Sequence, residues 1–319
     1  MIGLPIIPFA IALTSVFCVT RFSISTDSLC SNGAHMANKD SIFARYIHPL
    51  APIPTGVAPD LLKMRRFSAI LFDVYGTLLI SGAGEIGFDR EPAERVDDVR
   101  SLLQRYGINS NPGRLSDALN LAIDRTHAIA RRQGVDYPEV DIIRIWRQVL
   151  GSDDLPRIKD FALEYELIVN PVYPMPGLEP LLLACKTQRR PIGIISNAQL
   201  YTVHVLERFL GTTLEMGGFD QRLLFFSWRE KHAKPSSHMF NRARAALFSM
   251  GIPAESALVV GNDMLNDILP AKAVGFKTAL FAGDRRSFRQ RESDERCRNV
   301  SPDLIVTDLR QLIAGIGNP

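Results

Sequence analysis

Cysteine is scarce in this chain. The four present, Cys18, Cys30, Cys185 and Cys297, are scattered over 319 residues with no C-x-x-C pair. That spacing offers neither a disulfide framework nor a zinc site, so reduced thiols in a cytosol are expected. Charge of one sign is lacking too: 37 Lys and Arg against 34 Asp and Glu leave a net charge of +3. A nucleic-acid partner needs a concentrated basic face, and none is written here. No internal repeat is present. The one long apolar run, residues 2–19, has no Lys or Arg ahead of it, is interrupted by Pro5 and Pro8, and is followed by no A-x-A cleavage site. It reads as an irrelevant leader before a later start at Met36 or Met64, in preference to an export signal or membrane anchor. The expectation is a cytoplasmic protein without a membrane span.

What is there is ordinary for a globular enzyme, with 46% hydrophobic and 22% charged residues. Residues 1–66 form a leader followed, from 37, by a proline-bearing extended arm (Pro49, Pro52, Pro54, Pro59). The apolar run AILFDVY (69–75) then reads as a buried strand with a turn at Gly76. Between 85 and 172 the spacing turns helical, in 95–107, 115–134 and 140–151, with Gly107, Gly134 and Gly151 where helices end. Strand–helix alternation resumes from 173 to the end: strands at 191–197, 222–227, 257–263, 277–282 and 303–307, and helices at 178–188, 201–211, 237–251 and 268–275. Short apolar strands alternating with helices predict an α/β fold, a doubly wound parallel sheet with helices on both faces. Its core takes residues 67–84 and 173–319, and 85–172 is an inserted helical unit. Residues 284–298, with six arginines and four acids, read as a solvated, mobile loop.

Four polar clusters each follow a buried strand, and in such sheets functional groups gather at the carboxyl ends of the strands. Asp73 ends the first strand, where an ionisable group is costly unless it binds something. Gly76 allows the abrupt turn, and Thr77 offers a hydroxyl and an amide. Ser196 and Asn197 suit an anion. Lys234 is a cation that can neutralise a phosphate and a nucleophile. Asn262, Asp263 and Asp267 can hold a hard cation through oxygen.

Taken in this order, the clusters resemble the four motifs of the haloacid dehalogenase (HAD) superfamily over residues 67–313. The resemblance implies a Rossmann-like core with a helical cap at 85–172. It places Asp73 as nucleophile, Ser196 as the phosphate-binding hydroxyl, Lys234 as the stabilising lysine and 261–267 as the acidic metal motif. Two departures stand out. Phosphatases of the family carry an Asp two residues after the nucleophile, where Tyr75 stands here, as in the 2-haloacid dehalogenases. Strict alignment also puts Asn262 where the first metal-binding Asp belongs, and a one-residue shift makes Asp263 the ligand.

The expected activity is that of a Mg²⁺-dependent phosphatase acting on a small phosphorylated metabolite through an aspartyl-phosphate. Asp73, Tyr75 and Lys234 are the catalytic set, and Thr77, Ser196 and Asn197 bind substrate. Mg²⁺ is held by Asp73, the Tyr75 carbonyl, Asn262, Asp263 and Asp267. The alternatives are a metal-independent dehalogenase acting on a haloacid through an aspartyl ester, and a non-catalytic protein that keeps the fold. Within the insert, His127, Arg131, Arg132 and Trp146 are candidate substrate contacts, with Trp146 and Ile142 reading better as core.

Overall fold

The computed structural model describes residues 34–84 and 95–317; of residues 34–38 it describes the helical backbone alone. The apolar run 2–19, Cys18, Cys30 and residues 85–94 of the expected insert lie outside the described residues. In chain order the elements are α1 (Ala34–Tyr46), β1 (Ala69–Phe72), β2 (Leu79–Ser81), α2 (Val96–Arg105), α3 (Pro112–Arg132), α4 (Ile142–Leu150), α5 (Leu155–Val169) and β3 (Val172–Pro174). They continue with α6 (Leu178–Thr187), β4 (Ile192–Ser196), α7 (Leu200–Leu210), β5 (Phe219–Phe226), α8 (Ser227–Glu230), α9 (His238–Ser249), β6 (Ala257–Gly261), α10 (Leu269–Val274), β7 (Lys277–Phe281) and β8 (Leu304–Val306).

Six strands form one parallel sheet in the order β5-β4-β1-β6-β7-β8. The central strands β1, β4 and β6 are buried at every position, which requires cover on both faces. The side chains sort by the two-residue period of a strand. Ile70, Phe72, Ile192, Ile194, Leu258 and Val260 pack to one face with Leu181 and Leu182 of α6 and Val205 of α7. Ala69, Leu71, Ile195 and Val259 pack to the other with Phe240 and Ala243 of α9 and Ala271 of α10. The fold is therefore the doubly wound α/β sheet that the alternating pattern predicts. Parallel register aligns the functional ends: Phe72 lies opposite Ile194 and Val260, so Asp73 emerges level with the ends of β4 and β6.

Helices α2 to α5 pack on one another around Leu102, Leu119, Ile145, Trp146 and Phe161. Trp146 is 1% exposed and meets Phe161 and Tyr165 edge-on, which makes it core, whereas Arg131 and Arg132 are exposed. Gly151 ends α4 in the left-handed conformation that its position predicts. The small antiparallel pair β2–β3 joins the two ends of this insert.

Two expectations are corrected. The arm expected from residue 37 is helical through Tyr46: Ile42 and Phe43 of α1 are buried, and the buried Glu164 of α5 accepts hydrogen bonds from Tyr46 (2.8 Å) and Tyr106 (2.9 Å) and pairs with Arg105 (2.6 Å). This helix owes its place to α5, and tertiary packing of that kind leaves only a faint local pattern. The loop at 284–298 is also not simply solvated. Asp284, Ser287 and Cys297 are buried, and Arg291 ion-pairs with Asp263 at 2.6 Å.

Candidate active site

Chain connectivity brings the four clusters to one place. Asp73 follows β1 directly, and its backbone N–H donates to the Val260 carbonyl of β6 at 2.9 Å. Gly76 then turns the chain with φ +82, and a Cβ there would run into Ser287 and Asn262. No other residue fits both that conformation and that space.

Lys234 is the hub. Its Nζ donates to Asp73 Oδ1 (2.6 Å), Asp267 Oδ1 (2.5 Å) and the Ile195 carbonyl (3.2 Å). Its backbone is held by Asn197, whose Oδ1 accepts from Lys234 N at 2.7 Å and whose Nδ2 donates to Lys234 O at 3.3 Å. The ammonium is buried, and burial alone would lower its pKa; the charges of Asp267 and Asp73 outweigh that and raise it. Lys234 therefore stays charged. Burial raises the Asp267 carboxyl above the usual range in spite of Lys234, and the negative charges of Asp73 and Asp263 add to the rise.

These groups face a cavity of about 330 Å³. Asp73, Tyr75, Asn197, Lys234, Asn262, Asp263 and Asp267 all line it. Thr77 and Ser196 do not: both are fully buried. The Thr77 hydroxyl donates to Asn262 Oδ1 at 3.1 Å and its amide to the Val74 carbonyl at 3.2 Å. The Ser196 hydroxyl reaches the Asn197 carbonyl at 3.5 Å. In this arrangement the Thr77 hydroxyl holds the Asn262 side chain, a use different from the anion contact expected of it.

The Tyr75 phenol shares a 2.9 Å hydrogen bond with Thr202. Burial, then the charge of Glu166, hold its pKa well above the ordinary phenol value, so it keeps its proton. Asn262 is held on both sides, accepting from Thr77 and donating Nδ2 to the Ser287 carbonyl at 2.6 Å. Asp263 has a different set of partners. It accepts from the Leu265 amide (2.8 Å), Asn266 Nδ2 (3.0 Å) and Arg291 Nη2 (2.6 Å), capping the short π-helical turn Met264–Ile268. Among the described residues, no three His, Cys, Asp or Glu side chains gather as a metal-binding group.

Sequence reasoning passed over several groups that line the cavity: Glu139, Glu166, Gln199, Tyr201 and Arg289. Glu139 and Glu166 belong to the insert, and the spacing of α5 gave no sign that a charged residue would be turned inward. His127, one of four insert candidates, does line the cavity.

Gly261 exposes how tightly the 261–267 segment is packed. A Cβ on it would overlap the Asp267 carboxyl group. Gly261→Ala is expected to lower stability by about 1–3 kcal/mol, the usual range for overpacking, and to displace Asp267 from Lys234. Denaturant unfolding checks this; an unchanged midpoint would show that Asp267 has room to spare.

A family model for haloacid dehalogenase-like hydrolases matches residues 67–275. A phosphoglycolate phosphatase of Pseudomonas putida is 26% identical over 261 residues, spanning 78% of this chain and 80% of that protein. A phospholysine phosphohistidine inorganic pyrophosphate phosphatase of Xenopus laevis is 31% identical over 105 residues, spanning 32% of this chain and only 36% of that protein's length. Among solved structures, a 2-haloacid dehalogenase of Pseudomonas syringae pv. tomato aligns with a TM-score of 0.47 and 18% identity over 78% of this chain and 96% of that one. Since the family-model match covers more than half of the chain, this protein belongs to the haloacid dehalogenase-like hydrolases.

Proposed function

We propose that the chain is a Mg²⁺-dependent phosphatase of small phosphorylated metabolites. The observation that carries this reading is the Asp73–Lys234–Asp267 cluster at the cavity floor, with Lys234 Nζ 2.6 Å from the proposed nucleophile. A carboxylate at a strand end beside a buried ammonium is suited to attack an anionic phosphorus centre. Lys234 offsets the charge that otherwise repels Asp73 from the phosphate. The relatives named as phosphatases support the same choice.

The donor chemistry fits a hard cation. The cavity carries the carboxyl groups of Asp73, Asp263 and Asp267 and the amide oxygen of Asn262 beside Lys234. Hard oxygen donors are what Mg²⁺ selects. Asp73, Asp267, the Asn262 amide oxygen and the Tyr75 carbonyl would hold it. Asp263 is the weaker candidate, because Arg291 and the π-helical turn already occupy its oxygens. When bound, the ion would supply positive charge that offsets the negative charge of the phosphoryl group.

In the mechanism, Asp73 attacks phosphorus in line, the P–O bond to the leaving group breaks, and an aspartyl-phosphate forms. Lys234 stays charged throughout and holds the attacking carboxylate in position. Asn197 fixes the lysine backbone through its paired hydrogen bonds. Water then attacks phosphorus and restores Asp73. We read helices α2 to α5 as the cap that supplies the cavity's outer wall and excludes bulk water.

Tyr75 favours a second reading, metal-independent dehalogenation. The test is phosphate and halide release from a panel of phosphomonoesters and 2-haloacids, with Mg²⁺ and with excess EDTA. The expected result is phosphate release that EDTA abolishes and added Mg²⁺ restores. Halide release indifferent to EDTA would overturn the phosphatase reading.

A further inference from the structure

The phosphatase reading leaves one chemical need unmet. An alkoxide leaving group must be protonated as the P–O bond breaks, and the residue two places after the nucleophile is a phenol turned to Thr202. Two other acids line the same cavity, Glu139 and Glu166. Glu139 sits between the insert and the sheet and is held there. Its oxygens accept from the Val140 amide (2.8 Å), Gln199 Nε2 (3.1 Å) and the Ser227 hydroxyl (2.7 Å). Those donors come from three separate segments, so Glu139 is placed as a tie.

Glu166 is different. It lies on α5, is 8% exposed, and faces the cavity that holds Asp73 and Lys234. Its hydrogen-bond partners among the described residues are neutral: Tyr201 donates to Oε2 at 2.8 Å and Asn170 to Oε1 at 3.3 Å. Burial pushes its carboxyl above the usual range, and those two donors lower it only in part. A buried carboxyl without a cation beside it is stable chiefly as the acid. Glu166, Tyr75 and Asp73 line the same cavity, so the Glu166 carboxyl and the proposed nucleophile open on one space.

We propose that Glu166 is the proton donor to the leaving group, replacing the acid absent at Tyr75; this rests on the phosphatase reading. As Asp73 Oδ bonds to phosphorus and the P–O bond breaks, the carboxylic proton of Glu166 passes to the departing oxygen, giving a neutral alcohol and the Glu166 carboxylate. In the second half-reaction the carboxylate takes a proton from the water that attacks the aspartyl-phosphate. Phosphate leaves, and both Asp73 and the acid form of Glu166 are restored. Tyr201 and Asn170 act as positioning residues that stabilise the transient carboxylate.

The test compares Glu166→Gln with the wild-type chain on two Mg²⁺-supported substrates. One is 4-nitrophenyl phosphate, whose leaving group needs no proton; the other is an alkyl phosphomonoester that the wild type turns over. The expected result is a loss in kcat/KM, which reports the phosphoryl-transfer half-reaction alone, of roughly 10²- to 10⁴-fold on the alkyl ester, the usual worth of a positioned acid, and less than about tenfold on the aryl ester. An equal loss on both substrates assigns Glu166 a structural role and overturns the proposal, as does an unchanged alkyl rate. If Glu166→Gln does not fold, Glu166→Asp decides: it keeps the proton but shortens its reach, so the alkyl rate must fall more than the aryl rate, and a parallel fall refutes the proposal. A wild-type chain inert to both esters sinks the phosphatase reading itself and the proposal with it.

Discussion

Asp73→Asn is expected to reduce phosphate release by at least about a thousandfold, equivalent to about 4 kcal/mol of transition-state stabilisation at 1.36 kcal/mol per tenfold. The amide is nearly isosteric, so cavity shape is kept, but its oxygen is a poor nucleophile and no phosphoryl-enzyme can form. The fold should survive. Asparagine still accepts a hydrogen bond from Lys234, and Asp267 remains 2.5 Å from the same ammonium. One buried charge pairing is lost, while the repulsion between Asp73 and Asp267 is relieved. These opposing terms are each on the order of 1–3 kcal/mol, so the thermal midpoint should shift by only a few degrees. The measurement is kcat beside a melting curve on the same preparation. A folded Asp73→Asn protein retaining a tenth or more of wild-type activity would remove residue 73 from the reaction and revive the non-catalytic or alternative-nucleophile readings.

Much of this architecture was legible in the sequence, for reasons that can be named. The strands of the sheet are short, apolar and bounded by turn residues, because a parallel sheet buries both faces. That pattern is local, and it located β4, β6 and β7 to within two residues and β1 to within three. The site was legible because the polar residues break an apolar run at its carboxyl end, as Asp73 does after AILF. What stayed hidden depends on partners distant in sequence. Helix α5 buries most of its length, including Asp160, Glu164 and Glu166, so it has no clear polar stripe to announce which face is inward. Helix α1 is fixed by a buried acid 118 residues away. The arginine-rich loop looked solvated because its composition says so. Its place follows from long-range contacts, among them the pairing of Arg291 with Asp263, which composition cannot encode. The same holds for Thr77, whose fully buried hydroxyl is taken by a residue 185 positions on.

Lys234→Met should do more damage to the fold than Asp73→Asn, and in a pH-dependent way. Methionine matches the lysine stem in length but brings no charge. The carboxylates of Asp73 and Asp267, whose side chains are 9% and 3% exposed, are left facing each other in a buried site. Removing one partner of a buried ion pair costs about 3–5 kcal/mol, because the remaining charge is neither solvated nor paired. At pH 8 this should lower the thermal midpoint by roughly 10 °C. The variant has one escape, which is to protonate Asp267, already raised by burial in the wild type. Its folded-state pKa then lies further above that of the unfolded chain. A group with a raised folded pKa binds more protons in the native state, so stability falls as pH rises through that window and is regained as pH is lowered. The variant should therefore be least stable relative to wild type at pH 8 and recover part of the loss toward pH 5. Mg²⁺ should also raise the variant's midpoint more than the wild type's, since two unopposed carboxylates compete for the ion without an ammonium between them. A loss in midpoint that is equal at pH 5 and pH 8 and indifferent to Mg²⁺ would mean that the two carboxylates are not held together by Lys234, and the proposed charge arrangement of the reaction would fall with it.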